Sequence, residues 1–128
     1  MMSRSQFVAL SAFRTALAEF LRFSEKAARE AGITPRQYLL MLHVRASASA
    51  PTVGELARRL VASAHGTAAL VTRSERAGLV RRRVSDTDRR CVELHLTARG
   101  ERLVERVATR HRAELASLRN VFRVAGVS

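Results

Sequence analysis

Between Ser85 and Arg90 the chain reads Ser-Asp-Thr-Asp-Arg-Arg, a turn-forming cluster that ends in two adjacent guanidinium groups. A guanidinium carries a planar fork of N–H donors that fits anionic oxygens, and a nearby carboxylate can hold it in place through a charge-assisted hydrogen bond. Asp88 stands two residues before Arg90, with Arg89 between them. The chemistry on offer is anion recognition. The surrounding stretch shares the bias, because residues 56–90 hold nine Arg against Glu75, Asp86 and Asp88 alone. Chemistry of other kinds has no support in the residue pattern. There is no glycine-rich phosphate loop, no pair of carboxylates on an apolar face and no nucleophile with a His partner, so the chain is not expected to be an enzyme. No two His residues have close metal-ligand spacing, and Cys91 is the only cysteine. Neither a metal site, a cofactor nor an internal disulfide is expected.

The elements that must position these residues can be read from periodicity and caps. From Gln6 to Ala31 the residues Phe7, Leu10, Phe13, Leu17, Phe20, Leu21 and Ser24 recur at steps of three and four, the mark of one apolar helical stripe. A terminal helix this long often packs on a second subunit. Gly32 suits the position just past a helix end, and Thr34-Pro35-Arg36-Gln37 opens a second helix with a capping box. Tyr38, Leu39, Leu42 and Ala46 are its expected buried face. Thr52-Val53-Gly54-Glu55 repeats the capping-box pattern for a short third helix ending near Leu60. After a turn at Val61-Ala62, Ser63 can cap a fourth helix that buries Thr67, Leu70, Val71 and Ser74 and stops at Gly78. Two hydroxyls on that packed face cost stability unless each bonds back to the helix backbone.

The period then changes to two. Val80, Arg82 and Val84 alternate with Arg81, Arg83 and Ser85, and Val92, Leu94 and Leu96 alternate with Cys91, Glu93 and His95. This predicts a two-stranded hairpin with one apolar face, its turn at residues 85–88. Thr97 caps a last helix with the stripe Leu103, Val107, His111, Leu115, Leu118 and Phe122. The fold class is mainly α with a small β-hairpin, a single domain over residues 1–128. Two short capped helices, a tight turn and then a basic hairpin make a winged helix-turn-helix. A short helix held on a scaffold fits the DNA major groove, and an Arg-tipped hairpin can reach the adjacent minor groove.

The segments Glu-Leu-Ala-Arg-Arg-Leu (55–60), Glu-Arg-Ala-Gly-Leu-Val-Arg-Arg-Arg-Val-Ser-Asp-Thr-Asp-Arg-Arg (75–90) and Leu-Thr-Ala-Arg-Gly-Glu-Arg-Leu (96–103) resemble the MarR family of bacterial transcription regulators. Residues 20–42 are similar to that family's dimer-forming and scaffold helices. The resemblance implies a winged helix-turn-helix lobe over 33–97, with homodimerisation through helices 1–31 and 98–122. It also implies a fourth helix in the major groove, a wing over the minor groove, and release by a small lipophilic or phenolic ligand. The chain's short end after the last helix makes the dimer the less secure part of that carry-over.

On this reading Arg90 enters the minor groove, Arg89 contacts phosphate or takes the place of Arg90, and Asp88 holds the wing Arg. On the fourth helix His65 and Thr72 are the candidate base-edge contacts, and Ser63 is both cap and phosphate ligand. Arg73 matches a position that the family usually fills with Arg, and Arg76 and Arg82 complete the DNA-facing set. A family ligand pocket lies between the dimer helices and the DNA-binding lobe, which implies Tyr38, His43 and His111 as lining. A lone His on such a face is more often a packed, hydrogen-bonded side chain. Cys91 is expected on the outward face of the wing as an incidental thiol.

Composition agrees with an anionic partner. The net charge is +12, all cations but Lys26 are Arg, and the 47% hydrophobic content is that of a folded domain rather than a basic tail. No run of about 18 apolar residues and no secretory pattern is seen, so no membrane partner and a cytoplasmic location are expected. Two rivals remain: a non-specific DNA-binding or chromosome-coating protein, and a small-molecule- or partner-binding protein that has lost operator specificity.

Overall fold

The computed structural model describes residues 1–118, with side chains through Ala116. Six helices and one antiparallel hairpin follow in the order α1 (Arg4–Glu30), α2 (Pro35–Ala46), α3 (Val53–Leu60), α4 (Ala64–Arg76), β1 (Val80–Val84), β2 (Val92–Leu96), α5 (Ala98–Arg110) and α6 (Arg112–Leu118). The mainly helical fold with a two-stranded wing is therefore as the periodicity predicts.

Most helix starts are built from the expected hydroxyls. Thr34 and Gln37 close a capping box, with Gln37 N–H donating to Thr34 Oγ1 at 3.1 Å and Thr34 N–H to Gln37 Oε1 at 3.0 Å. Thr52 accepts from Glu55 N–H, but the reciprocal Glu55 side-chain bond is not made. Ser63 and Thr97 cap α4 and α5 by accepting from Gly66 and Gly100. Each cap is worth about 1 kcal/mol. α1 begins two residues before the expected Gln6 because Ser3 and Gln6 form a capping box of their own.

The core gathers the inner faces of α2, α3, α4, the wing base and α5: Leu40, Met41, Val44, Leu56, Leu70, Val71, Leu79, Val80, Leu94, Val104 and Val107. Here α2 departs from expectation. Tyr38 is buried, but Leu40, Met41 and Val44 supply the rest of its core face, whereas Leu39 and Ala46 are exposed and Leu42 is half-buried. The helix is apolar on two sides, one toward the lobe and one toward α1, so a single-stripe reading selects only half of it. Thr67 and Ser74 are fully buried, and both hydroxyls bond back, to Ser63 O and Leu70 O, each at 2.8 Å. Their burial is satisfied.

On α1 only Ala27 and Ala28 are buried. Phe13, Leu17 and Phe20 are half-buried, and Phe7, Leu10 and Leu21 are exposed, as is Val8 beside them. Among the described residues the long stripe thus finds core only near its C-terminal end.

The turn between α3 and α4 is carried by Val61 in the left-handed region (φ 53°, ψ 49°), with 92% of its surface exposed. A β-branched residue there is strained. In the wing Val80 pairs with Leu96, Arg82 with Leu94 and Val84 with Val92. Only the base of the apolar face is covered, since Val84 and Val92 at the tip are exposed. The wing base is tied to α3 through a Thr52–Glu93 bridge and a Leu94 N–H to Pro51 O bond of 2.8 Å. It is also tied to α5, because Leu79 O accepts from Thr97 N–H at 3.1 Å and from Thr97 Oγ1 at 3.2 Å.

The single last helix expected after Thr97 is two helices, broken at His111. The His111 Nδ1 sits 2.6 Å from Val107 O, the carbonyl that a continuous helix would offer to the His111 backbone N–H. That N–H turns instead to Ala108 O at 3.0 Å, and α6 starts from there. Of the expected stripe, the Leu118 side chain and Phe122 lie outside the described residues.

Candidate nucleic-acid interface

The exposed side of α4 follows from the burial of its other side. With Thr67, Leu70, Val71 and Ser74 turned inward, His65, Ala69, Arg73 and Arg76 are exposed, and Thr72 is half-buried at the edge of the same stripe. Beside the helix, Thr52, Val53, Gly54, Ala64 and Ala68 face Arg82, Arg90, Cys91 and Val92 across a groove of about 540 Å³. The two short helices and the wing tip thus share one concave surface.

At the wing tip Arg90 donates to Asp88 Oδ1 from its backbone N–H at 3.1 Å and from Nε at 3.2 Å. Its side chain is otherwise 91% exposed. Asp88 is itself seated by its N–H bonding Ser85 Oγ at 3.2 Å. The Arg90 N–H, then the Arg90 guanidinium, hold the Asp88 carboxyl below its usual range. Cys91 is half-buried rather than outward, its Sγ donating to Asp88 Oδ2 at 3.5 Å. That bond and the carboxylate's charge raise the pKa of the thiol, which disfavours the reactive thiolate.

Arg82 stands apart from the other cations. Its backbone N–H reaches Glu75 Oε2 and its Nη1 reaches Glu75 Oε1, both at 3.0 Å. Its Nη2 bonds Thr72 Oγ1 at 3.0 Å and Ala68 O at 3.3 Å. The Thr72 hydroxyl in turn donates to Ala68 O at 3.1 Å. Arg82 and Thr72, both placed in the DNA-facing set from sequence, are joined here in a clamp between the wing and α4. The Arg82 N–H, then its guanidinium, lowers the pKa of Glu75. Sequence reasoning passed over Glu75, although the only acidic residue between positions 56 and 85 is itself a signal. By contrast the side chains of His65, Arg73, Arg76 and Arg89 have no hydrogen bond or ion pair among the described residues. Ser63 accepts from Gly66 N–H at the α4 cap and keeps its own hydroxyl proton to donate.

A second cluster lies where α1, α2, α5 and α6 meet. His111 is 4% exposed and stacks on Tyr38, with centroids 5.4 Å apart and planes at 9°, while the edges of Phe20 and Phe23 meet it at 5.6 and 5.5 Å. His111 Nε2 is buried with no partner among the described residues. A cavity of about 220 Å³ opens here, lined by Phe20, Leu21, Tyr38, Leu42, His111 and Leu115 among others. Tyr38 and His111 meet as the pocket reading implies, but His43 does not join them. Five residues on from Tyr38, it points about 140° around the helix. There it is half-buried, its pKa lowered first by burial and then by Arg59. Phe20, from the expected α1 stripe, and Phe23, which lies outside it, complete the cluster. Among the described residues no group of three or more His, Cys, Asp or Glu could hold a metal ion.

The sequence model of the MarR family matches residues 31–90, which run from the end of α1 to Arg90 at the wing tip. A MarR family protein from Bacillus stearothermophilus has the same fold at a TM-score of 0.77 and 26% identity, over 98% of this chain and 86% of that one. The fold is that of MarR-family winged helix-turn-helix proteins. Among curated proteins, the uncharacterized HTH-type transcriptional regulator YsmB of Bacillus subtilis (strain 168) is 32% identical over 71 residues. That match takes in 56% of this chain and 49% of YsmB, so it spans about half the length of the relative. A mutant MepR of S. aureus bound to an oligodeoxyribonucleotide shares the MarR-type fold at a TM-score of 0.70 and 23% identity, covering 91% of this chain and 81% of that one. In MarR-family terms, α3 and α4 are the helix-turn-helix and β1–β2 is the wing.

Proposed function

We propose that this chain is a sequence-specific double-stranded DNA-binding transcription regulator, a homodimeric repressor whose operator affinity is set by a small ligand. The observation that carries the reading is the shared groove: the first turns of α4 and the wing-tip Arg90 face one concave surface, and Arg90 is oriented by Asp88 while its guanidinium stays exposed. α4 enters a major groove, Arg90 reaches the neighbouring minor groove, and Arg89, Arg73 and Arg76 contact phosphates. Ser63 is the cap that fixes the N-terminus of α4 toward a phosphate. The DNA-bound MepR, of the same fold, supports this placement.

Dimerisation is supported by the outer half of α1, where Phe7, Val8 and Leu10 are exposed at 58%, 57% and 43% with no core to enter among the described residues. Packing these helices and the C-terminal helices of two copies together sets the distance between the two reading heads. Heads about 34 Å apart read successive major grooves on one face of the duplex. A ligand in the aromatic cavity beside His111 wedges between the dimer helices and the lobe, favours another spacing and weakens operator binding by population shift. DNA held in this way occludes a promoter.

One observation favours a second reading. α4 exposes few hydrogen-bonding side chains, as a sequence-independent binder would. Selection of bound fragments from random duplex DNA separates the two. An inverted repeat with half-sites about one helical turn apart supports the regulator. Retention with no shared motif supports non-specific binding, and no retention at low salt by folded protein refutes both.

A further inference from the structure

We propose that the first turns of α4 read thymine methyl groups through alanine side chains, with His65 as the one side chain there that hydrogen-bonds a base edge. The proposal rests on the operator-binding reading above and specifies what that operator contains. The exposed stripe of α4 runs His65, Ala69, Arg73 and Arg76, with Ala64 and Gly66 exposed beside it and Ala68 half-buried. The other polar groups along this side of the helix have partners within the chain. Ser63 Oγ accepts from Gly66 N–H at 2.9 Å at the very start of the helix, where its remaining proton faces a phosphate rather than a base, and Thr72 Oγ1 donates to Ala68 O while accepting from Arg82 Nη2. Glu75, which could accept from a cytosine amine, is held by the Arg82 backbone and guanidinium instead.

What remains on the first two turns is methyl groups and one imidazole. A methyl can neither donate nor accept, so the one base feature it distinguishes in the major groove is another apolar group, the C5 methyl of thymine. Short side chains also let the helix axis approach the base edges closely, which brings the Ala Cβ atoms into van der Waals contact. Arg73 and Arg76 lie two and three turns beyond His65, toward the C-terminal end of α4, where a helix leaving the groove meets the phosphate backbone. Each half-site therefore contains at least one thymine fixed by Ala64, Ala68 or Ala69, next to a base pair fixed by His65.

The test changes the DNA and leaves the protein intact. The duplex recovered by random selection is synthesised with deoxyuridine replacing one thymine at a time, which deletes only the methyl and preserves pairing. Competition binding by the full chain is then measured for each. The expected result is a loss of about fourfold per contacted methyl at one or two positions in each half-site, with no change elsewhere. In the same assay His65→Ala flattens the base preference at a single neighbouring base pair. If every uracil-containing duplex competes as well as the thymine parent, methyl readout is overturned while operator binding stands. A His65→Ala preference profile identical to the parent's overturns the role of His65. A chain that selects no motif at all overturns the operator reading and this proposal together.

Discussion

Gly100 lies in the first turn of α5 with its Cα against the backbone of Leu79, at the point where the wing leaves the lobe. A Cβ built at Gly100 meets the Leu79 carbonyl oxygen well inside the 3.0 Å that real Cβ atoms respect, and stands 3.1 Å from the carbonyl carbon. The obstacle is backbone, and Leu79 cannot retreat, since its side chain is fully buried and its N–H bonds Ser74 O at 3.0 Å. Overpacking of this kind costs about 1–3 kcal/mol. Any outward shift of α5 also stretches the two bonds from Thr97 to Leu79 O, each worth about 1 kcal/mol when whole. Ala is favoured over Gly inside a helix by about 1 kcal/mol, which offsets part of the loss. Gly100→Ala is therefore expected to destabilise the chain by about 2–3 kcal/mol. At about 4 °C per kcal/mol for this length, the unfolding midpoint should fall by about 8–12 °C. The assay is thermal unfolding followed by circular dichroism, at one fixed protein concentration because association shifts the midpoint. Gly54→Ala in α3 is the control. There the nearest atom to an added Cβ is Thr52 Oγ1 at 3.9 Å, an ordinary contact, so the same change should stabilise by about 0.5 kcal/mol. A Gly100→Ala protein as stable as the parent would refute the claim that close backbone approach fixes the wing to α5.

Other substitutions probe strain and titration. Val61→Gly should stabilise the chain by about 1 kcal/mol, because the left-handed strain released exceeds the added freedom of the unfolded chain and the exposed side chain loses no packing; a lower denaturation midpoint than the parent's contradicts this. Cys91 should react with iodoacetamide more slowly at pH 7.5 than a free thiol, and Asp88→Asn should speed the reaction by removing the carboxylate that raises its pKa; equal rates in the two proteins exclude Asp88 as the cause. His43, its folded pKa lowered by burial and by Arg59, binds protons more weakly in the folded than in the unfolded chain. Its contribution to stability is complete above the unfolded value of about 6.5 and is lost as pH falls through that value toward the lower folded one. Urea titrations at pH 7.5 and 5.5 should show a smaller acid loss in His43→Gln than in the parent, and identical losses would exclude His43.

Element order, helix caps and the wing were legible in the sequence because each depends on neighbours three or four residues apart: Thr34 with Gln37, Ser63 with Gly66, Thr97 with Gly100, and the alternation along Val80–Val84. The pairing of Asp88 with Arg90 is equally local. The family match rests on the same local signals, since a turn, a cap and a basic wing tip leave residue types at fixed spacing. Tertiary structure decided what depends on partners far along the chain. Arg82 and Thr72 carried the residue types of DNA contacts, but the fold sets them against Glu75 and Ala68 and turns them into a clamp between strand and helix. α2 has two apolar faces because two different layers cover it, and one stripe could not show both. The last helix is broken at His111, whose ring lies against the Val107 carbonyl, and Phe20, Phe23 and Tyr38 close around it from helices some 70 to 90 residues earlier. Periodicity tells which residues avoid water. Only the packed chain determines which groups they meet, and so which cations and hydroxyls remain to meet another molecule.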